Sequence, residues 1–234
     1  MVVLLSINLS PTHFIKVLSI NTMGELKFQT SSESSILRAA PSRNMAASAP
    51  GVMNFTKVLR GASTGTRLVR CPSSTLSRLR QLNVAEIITL FTPFVPHPPS
   101  TTLAKNMDPF EPLGRSLPRQ VRHVPYRLDN GMTETHTDFL PTSGAIVIVV
   151  CSTEDIISHN SKAFERQTRF ARNVAKKVEE GNSPEDAPVV LLLITNGAAS
   201  QVHEDELRDF PALITCDNYT PSALQDFVQL IFGV

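Results

Sequence analysis

The stretch Gly144-Ala-Ile-Val-Ile-Val-Val-Cys151 decides the fold class, because its apolar residues run without interruption and do not alternate with polar ones. A strand with one face in water alternates, whereas a strand covered on both faces reads as a continuous apolar run. Val189-Val-Leu-Leu-Leu-Ile194 repeats this texture, and a shorter run, Ala212-Leu-Ile-Thr-Cys216, follows it. The sequence therefore predicts that Ile146–Val150 and Val189–Ile194 are neighbouring parallel strands at the centre of one sheet.

Helical patterns separate and follow these strands. Between residues 161 and 180 the apolar side chains form one stripe and most basic ones lie elsewhere, and Gly181 is a typical helix stop. The acidic stretch Glu204-Asp-Glu206 predicts a helix start, because negative charge complements the positive end of the helix dipole. Thr220 and Pro221 predict the cap and first residue of a last helix. Strands alternating with helices at this spacing indicate an α/β fold with a mainly parallel sheet covered by helices on both faces.

Two further strands are predicted upstream. Glu86-Ile-Ile-Thr-Leu-Phe91 is a compact apolar run that enters the proline-rich stretch Thr92–Ser100, and Val121–Tyr126 also suits a strand. Residues 1–80 show no sustained period of 2 or 3.6. We therefore predict a basic, serine-rich segment of low order over residues 1–83 and an α/β domain over residues 84–234.

Charge is unevenly divided along the chain. Residues 1–100 hold ten Lys and Arg against three acids, and residues 101–234 hold the remaining twelve against eighteen. The basic residues before Arg80 are spread out, with only Phe55 near them to stack on bases, so no nucleic-acid partner is expected. No apolar run approaches the ~20 residues needed to cross a bilayer, so no membrane partner is expected.

The sequence carries no clear signal peptide, because Met1–Ile7 is apolar but lacks a positively charged region before it. An intracellular location is therefore favoured. The basic, acid-poor composition of the first hundred residues also fits a mitochondrial targeting segment, and this alternative stays open.

Polar residues follow three of the predicted strands. Because ligands of open α/β sheets bind at the carboxyl ends of the strands, these residues are candidates for ligand binding. The same residue types also cap helices and solvate loops, so this second interpretation stays open. The candidates are Thr153, Glu154, Asp155, Asn196 and Asp217.

No catalytic residue is assigned from the sequence alone. Cys151 and Cys216 each end an apolar run, which predicts buried free thiols. His123, His136 and His203 have no metal-ligand spacing with cysteine or with each other. We therefore expect no metal and no cofactor.

Residues 84–234 resemble the C-terminal domain of family 3 glycoside hydrolases, especially the fungal β-N-acetylglucosaminidase-like branch. The resemblance lies in the order of elements and in short matches. In that branch a strand ends in Cys and is followed by Asp, an aromatic turn, Thr and a helix ending in Phe/Tyr-Gly. The matching positions are Cys216, Asp217, Tyr219, Thr220 and Phe232-Gly233, with Leu90-Phe-Thr-Pro93, Phe110-Glu-Pro-Leu-Gly-Arg-Ser-Leu117 and Val124-Pro-Tyr126 upstream.

The resemblance implies a carbohydrate-enzyme module without its catalytic part. In family 3 the nucleophilic carboxylate lies on a (β/α)₈ barrel, which takes about 250 residues, and only the predicted low-order segment precedes the domain here. The module is therefore expected to be inactive alone and to act beside a separate catalytic barrel or a carbohydrate-bearing partner.

Two other hypotheses stay open. The first is a flavodoxin-like module that holds a nucleotide or another small ligand at the loops after Cys151 and Ile194. The second is a gene-model fragment, which the change of texture near Val84 suggests.

Overall fold

A computed structural model describes residues 65–98, 103–104, 106–181 and 187–234 of the chain. These residues build one six-stranded sheet in the order β1-β6-β5-β4-β2-β3. Only β1 is antiparallel to its neighbour, and all other neighbouring strands are parallel. The strands are β1 (Arg67–Arg70), β2 (Ile87–Pro93), β3 (Gln120–Tyr126), β4 (Ala145–Cys151), β5 (Val189–Ile194) and β6 (Leu213–Cys216).

The centre of the sheet is the predicted pair. β4 and β5 are parallel neighbours in the register Ile146↔Val189 to Cys151↔Ile194, and every residue of β4 is buried. Alternate side chains of β4 enter different core layers: Val147 and Val149 the first, Ile146 and Ile148 the second. Coverage on both faces explains why these strands read as continuous apolar runs.

Helices cover both faces of the sheet. Leu79, Leu113 and Phe227 bring the first, second and seventh helices to the first core layer, whereas Phe170 brings the fifth to the second. No helix among the described residues is long and apolar enough to span a membrane. The helices are α1 (Ser73–Arg80), α2 (Glu111–Ser116), α3 (Glu134–Phe139), α4 (Glu154–His159), α5 (Ala163–Gly181), α6 (Ser200–Glu206) and α7 (Pro221–Phe232).

The last helix forms as predicted. Thr220 precedes it in extended conformation, and its Oγ1 accepts a hydrogen bond from the Ala223 N–H at 3.5 Å. Gly233 ends the helix in the left-handed conformation with φ 74°, which glycine adopts without a steric penalty. Arg80 Nε donates to the Ile231 carbonyl at 3.3 Å, which satisfies a carbonyl group in the last turn.

The folded unit begins earlier than the boundary predicted at residue 84. β1 pairs with β6, and Arg70 Nε donates to the Phe210 carbonyl at 2.7 Å. The strand is only four residues long and has two apolar side chains, Leu68 and Val69, which is too few to show a period. Residues 1–64 of the predicted low-order segment lie outside the described residues.

The predicted helix start at Glu204 is wrong. α6 begins at Ser200, so the acidic residues occupy its last turn and not its first. Glu204 is buried there and pairs with Arg67 of β1, which offsets its unfavourable position near the negative end of the helix dipole. The partner lies 137 residues away and leaves no local signal in the sequence.

Candidate functional site

The carboxyl ends of the parallel strands form the edge at which a ligand is expected. The chain passes from β2 to β3 through α2, which packs on the first core layer. From β4 to β5 it passes through the short α4 and then the long α5, which packs mainly on the second core layer. Because these connections run to opposite faces, the gap between the ends of β2 and β4 is the topological switch point of the sheet. In open α/β folds this gap is the usual ligand crevice.

Side chains of the protein itself fill this crevice. β2 pairs with β4 only as far as Phe91↔Ile148, which leaves the last residues of β4 without a strand on that side. Gln167 of α5 takes the missing place: Cys151 N–H donates to its Oε1 and its Nε2 donates to the Cys151 carbonyl, both at 2.7 Å. The Tyr126 hydroxyl donates to the Val149 carbonyl at 2.8 Å. A ligand at the switch point would have to displace these groups.

The predicted residues after β4 and β5 come together, but they bind each other. The Glu154 N–H donates to Asn196 Oδ1 at 2.9 Å. Gly197 has φ +73°, and a Cβ atom there would collide with the Glu154 carboxylate. Thr153 is 3% exposed and precedes α4 in extended conformation, and its Oγ1 has no hydrogen-bond partner. The loops after β4 and β5 therefore contact and stabilise each other.

Asp155 and Asp217 do not join this group. Asp155 is exposed in the first turn of α4, where its carbonyl accepts from the Ser158 hydroxyl at 2.7 Å. Asp217 is exposed after β6, which is separated from β4 by β5, and its side chain lies against Gly65. The five predicted residues therefore do not form one site.

The close contact between Glu154 and Gly197 predicts the effect of replacing this glycine. Gly197→Ala places a side chain at positive φ and displaces the Glu154 carboxylate, so we expect the free energy of unfolding to fall by about 1–2 kcal/mol. Urea denaturation followed by circular dichroism measures this change.

Two other glycines provide matched controls. Gly131 has φ +64° with nothing within 4 Å of a Cβ atom, so Gly131→Ala reports the backbone strain alone. Gly181 ends α5 with the same open space and without positive φ, so Gly181→Ala should be neutral or slightly stabilising. A Gly197→Ala variant that loses no more stability than Gly131→Ala would disprove the contribution of the contact with Glu154.

The sequence did not reveal a buried polar cluster around His203. Its Nδ1 lies 3.0 Å from Ser152 Oγ and 3.3 Å from Thr195 Oγ1, and its ring stacks on Phe164 at 3.9 Å between centroids. Burial lowers the pKa of His203, which favours the neutral ring beside these two hydroxyls. Ser152 is only 2% exposed, which keeps substrates away from this serine–histidine pair.

Two of the three cysteines are buried, which makes their thiols unreactive. Cys151 and Cys216 are free and buried, as predicted. Burial raises the pKa of both thiols, which disfavours the nucleophilic thiolate. Among the described residues, no group of three or more His, Cys, Asp or Glu side chains is placed to hold a metal ion.

An open cleft lies beside the filled crevice, in the loop region after β2. Its volume is about 510 Å³, and it lies between residues 94–97, here called wall one, and residues 106–109, here called wall two. Phe94 is 69% exposed at this site, and the buried Nδ1 atom of His97 has no hydrogen-bond partner. The proline-rich sequence indicated a loop here, but nothing in it indicated that two separate segments meet.

A second cleft of about 440 Å³ lies near the amino ends of β5 and β6. Pro188, Pro211 and the ion pair between Arg172 and Asp209 contribute to it. Ligands of parallel sheets bind at the carboxyl end, so the cleft after β2 is the better candidate for a functional site.

Sequence comparison assigns no family, because no family model and no curated protein sequence matches the chain. Several solved structures align with it. A fungal multi-domain glycoside hydrolase family 3 β-N-acetylglucosaminidase aligns over 72% of this chain with 17% identity and a TM-score of 0.48. A family 3 β-N-acetylglucosaminidase from Paenibacillus sp. str. FPU-7 aligns over 72% with 13% identity and a TM-score of 0.46. A β-glucosidase from Listeria innocua in complex with gluconolactone aligns over 72% with 17% identity and a TM-score of 0.43.

The aligned part covers 16%, 28% and 23%, respectively, of those three solved chains. The chain therefore spans less than a third of the length of each.

Proposed function

We propose that this chain is a glycosidase-related module of the type found at the C-terminus of family 3 β-N-acetylglucosaminidase-like hydrolases. The described residues form a single open sheet and contain no catalytic barrel, and the module does not hydrolyse glycosides alone. It acts beside a separate catalytic barrel or a carbohydrate-bearing partner, with the carboxyl edge of its sheet and the cleft after β2 facing that partner.

The observation that carries the proposal is the order of elements from β4 to α7. The residues on which the sequence resemblance rests stand at the ends of these elements: Cys216 ends β6, Thr220 caps α7 and Gly233 terminates it. Tyr219, the aromatic residue of the intervening turn, is buried. Each position therefore has a structural role that restricts its residue type, which supports treating the resemblance as more than shared composition.

The arrangement of acids supports the absence of independent activity. Retaining glycoside hydrolysis needs two carboxyl groups about 5 Å apart across the scissile bond, one of them with its proton retained. Glu154 lies over the backbone of Gly197, and Asp217 lies two strands away after β6. Glu154 and Asp217 therefore do not face each other across one site, which supports a need for groups from another domain.

The cleft after β2 suits a saccharide better than a nucleotide. Sugar rings present apolar C–H faces as well as hydroxyl groups, so they pack on an exposed aromatic ring and hydrogen-bond to polar neighbours. Phe94 supplies the ring, and His97 and Asp108 supply polar groups in the two walls. At the alternative site, after Cys151 and Ile194, the Glu154 carboxylate occupies the place over Gly197 where a phosphate would approach the backbone. That negative charge disfavours the flavodoxin-like alternative.

A ligand and substrate panel on the purified full chain tests the proposal. We expect no release of nitrophenol from 4-nitrophenyl N-acetyl-β-D-glucosaminide or from the corresponding glucoside. We expect N-acetylglucosamine to raise the melting temperature, because a ligand at a hundred times its Kd stabilises the folded state by about 2.7 kcal/mol. FMN and ATP should leave the melting temperature unchanged.

Phe94→Ala is the matched control for the panel. It should keep the melting temperature of the free protein, because the side chain is exposed, and should lose the response to N-acetylglucosamine. Turnover of either aryl glycoside would contradict the proposal. A response to FMN or ATP with none to the sugar would favour the flavodoxin-like alternative.

A further inference from the structure

The two walls of the cleft after β2 are two segments of the loop that joins β2 to α2. A single side chain from another loop contacts wall one and the residue that directly follows wall two. The Tyr219 hydroxyl, in the loop between β6 and α7, donates a hydrogen bond to the Pro96 carbonyl in wall one at 3.0 Å. The ring of Tyr219 stacks on Phe110, which directly follows wall two, with 5.6 Å between centroids and 26° between planes.

Both walls are also fixed at one end. In wall one the Phe94 N–H donates to the Tyr126 carbonyl at 3.0 Å. In wall two Asp108 Oδ1 accepts from the Phe110 N–H at 2.7 Å, which ties the wall to the start of α2. Tyr219 adds a contact between wall one and the residue that follows wall two.

We infer that Tyr219 is a positioning residue that sets the spacing of the cleft walls and thereby the affinity of the cleft for its ligand. Tyr219 and Phe110 are both buried, so neither ring touches a ligand directly. Burial raises the pKa of Tyr219, so its hydroxyl keeps its proton and remains a donor at neutral pH. The part of this inference that concerns a saccharide ligand rests on the proposed function.

The chain contains a natural control for this residue. It has two tyrosines and no tryptophan, and the second tyrosine, Tyr126, also donates from a buried hydroxyl to a backbone carbonyl. Its acceptor is Val149 in β4, so this side chain does not join the two walls. Tyr219→Phe and Tyr126→Phe therefore remove the same kind of bond at two places, only one of which joins the walls.

Amide hydrogen exchange on the full chain tests the inference. Tyr219→Phe should speed exchange at residues 97, 106–108 and 110 about tenfold, as expected when one hydrogen bond that restrains them is lost. Exchange in β4 and β5 should stay unchanged. Tyr126→Phe should not produce this local increase.

Ligand affinity gives the second readout. In the Tyr126→Phe variant Tyr219 is the sole tyrosine. The fluorescence of Tyr219 in that variant can therefore report a titration with N-acetylglucosamine. Affinity measured by calorimetry should fall about tenfold in Tyr219→Phe and stay within twofold of the wild type in Tyr126→Phe.

Uniformly faster exchange in Tyr219→Phe, or no local change at the walls, would overturn the inference and leave Tyr219 as an ordinary core residue. Failure of the wild type to bind N-acetylglucosamine would count against the proposed saccharide ligand. The exchange experiment would still decide the role of Tyr219.

Discussion

Gln167→Leu is expected to lower the free energy of unfolding by roughly 2–6 kcal/mol, because it leaves two buried backbone groups without partners. Gln167 is fully buried, and its amide binds both the N–H and the carbonyl of Cys151. Each unsatisfied buried group costs about 1–3 kcal/mol, and leucine has a similar size but no hydrogen-bonding atom. The midpoint of urea denaturation measures the loss.

Gln225→Leu is the control for this prediction. Gln225 lies on the exposed side of α7, so the same change of chemistry there should alter stability by no more than about 0.5 kcal/mol. A Gln167→Leu variant as stable as Gln225→Leu would show that the end of β4 does not depend on the side chain that fills the crevice.

The strands at the centre of the sheet could be predicted because their signal is local. β4 and β5 are buried on both faces, and this condition acts on every residue of the strand. The ends of α7 have a local signal too, because Thr220 and Gly233 act on the backbone within a few positions of themselves. Such features need no knowledge of distant contacts.

The remainder of the fold depends on contacts between distant positions. β1 is held by Arg67 and Arg70, whose partners lie about 140 residues away in the chain. The hydrogen bond from Tyr219 to Pro96 spans 123 residues. No pattern within a window of the sequence encodes such pairs, so both the earlier start of the folded unit and the joined walls of the cleft were missed.

One distant contact did have a local signal in the sequence. Gln167 lies three residues after Phe164 and four before Ala171, on the apolar stripe of α5, so it is a polar residue on a face that packs against the sheet. A buried polar group needs a hydrogen-bond partner, and the unpaired end of a neighbouring strand offers two. That reasoning would have predicted a filled crevice and moved the expected site away from Thr153 and Asn196.

The same helix gives the second large prediction. Phe170→Ala should lower the free energy of unfolding by about 3–5 kcal/mol, because it removes a large side chain from the centre of the second core layer. The ring of Phe170 stacks on Tyr126 with 3.8 Å between centroids and meets the ring of Phe91 edge-on at 5.6 Å. Loss of these aromatic contacts is part of the expected cost.

The position of Phe170 explains why the effect should extend beyond a cavity. The ring supports Tyr126, and Tyr126 supplies the hydroxyl that satisfies Val149 where β2 and β4 diverge. Phe94→Ala, which removes the same side chain from an exposed position, should change stability by less than about 0.5 kcal/mol in urea denaturation. If the two variants unfolded at the same urea concentration, the second core layer would not be packed as described. A large loss confined to Phe170→Ala would show that packing of α5 against Tyr126 contributes strongly to stability.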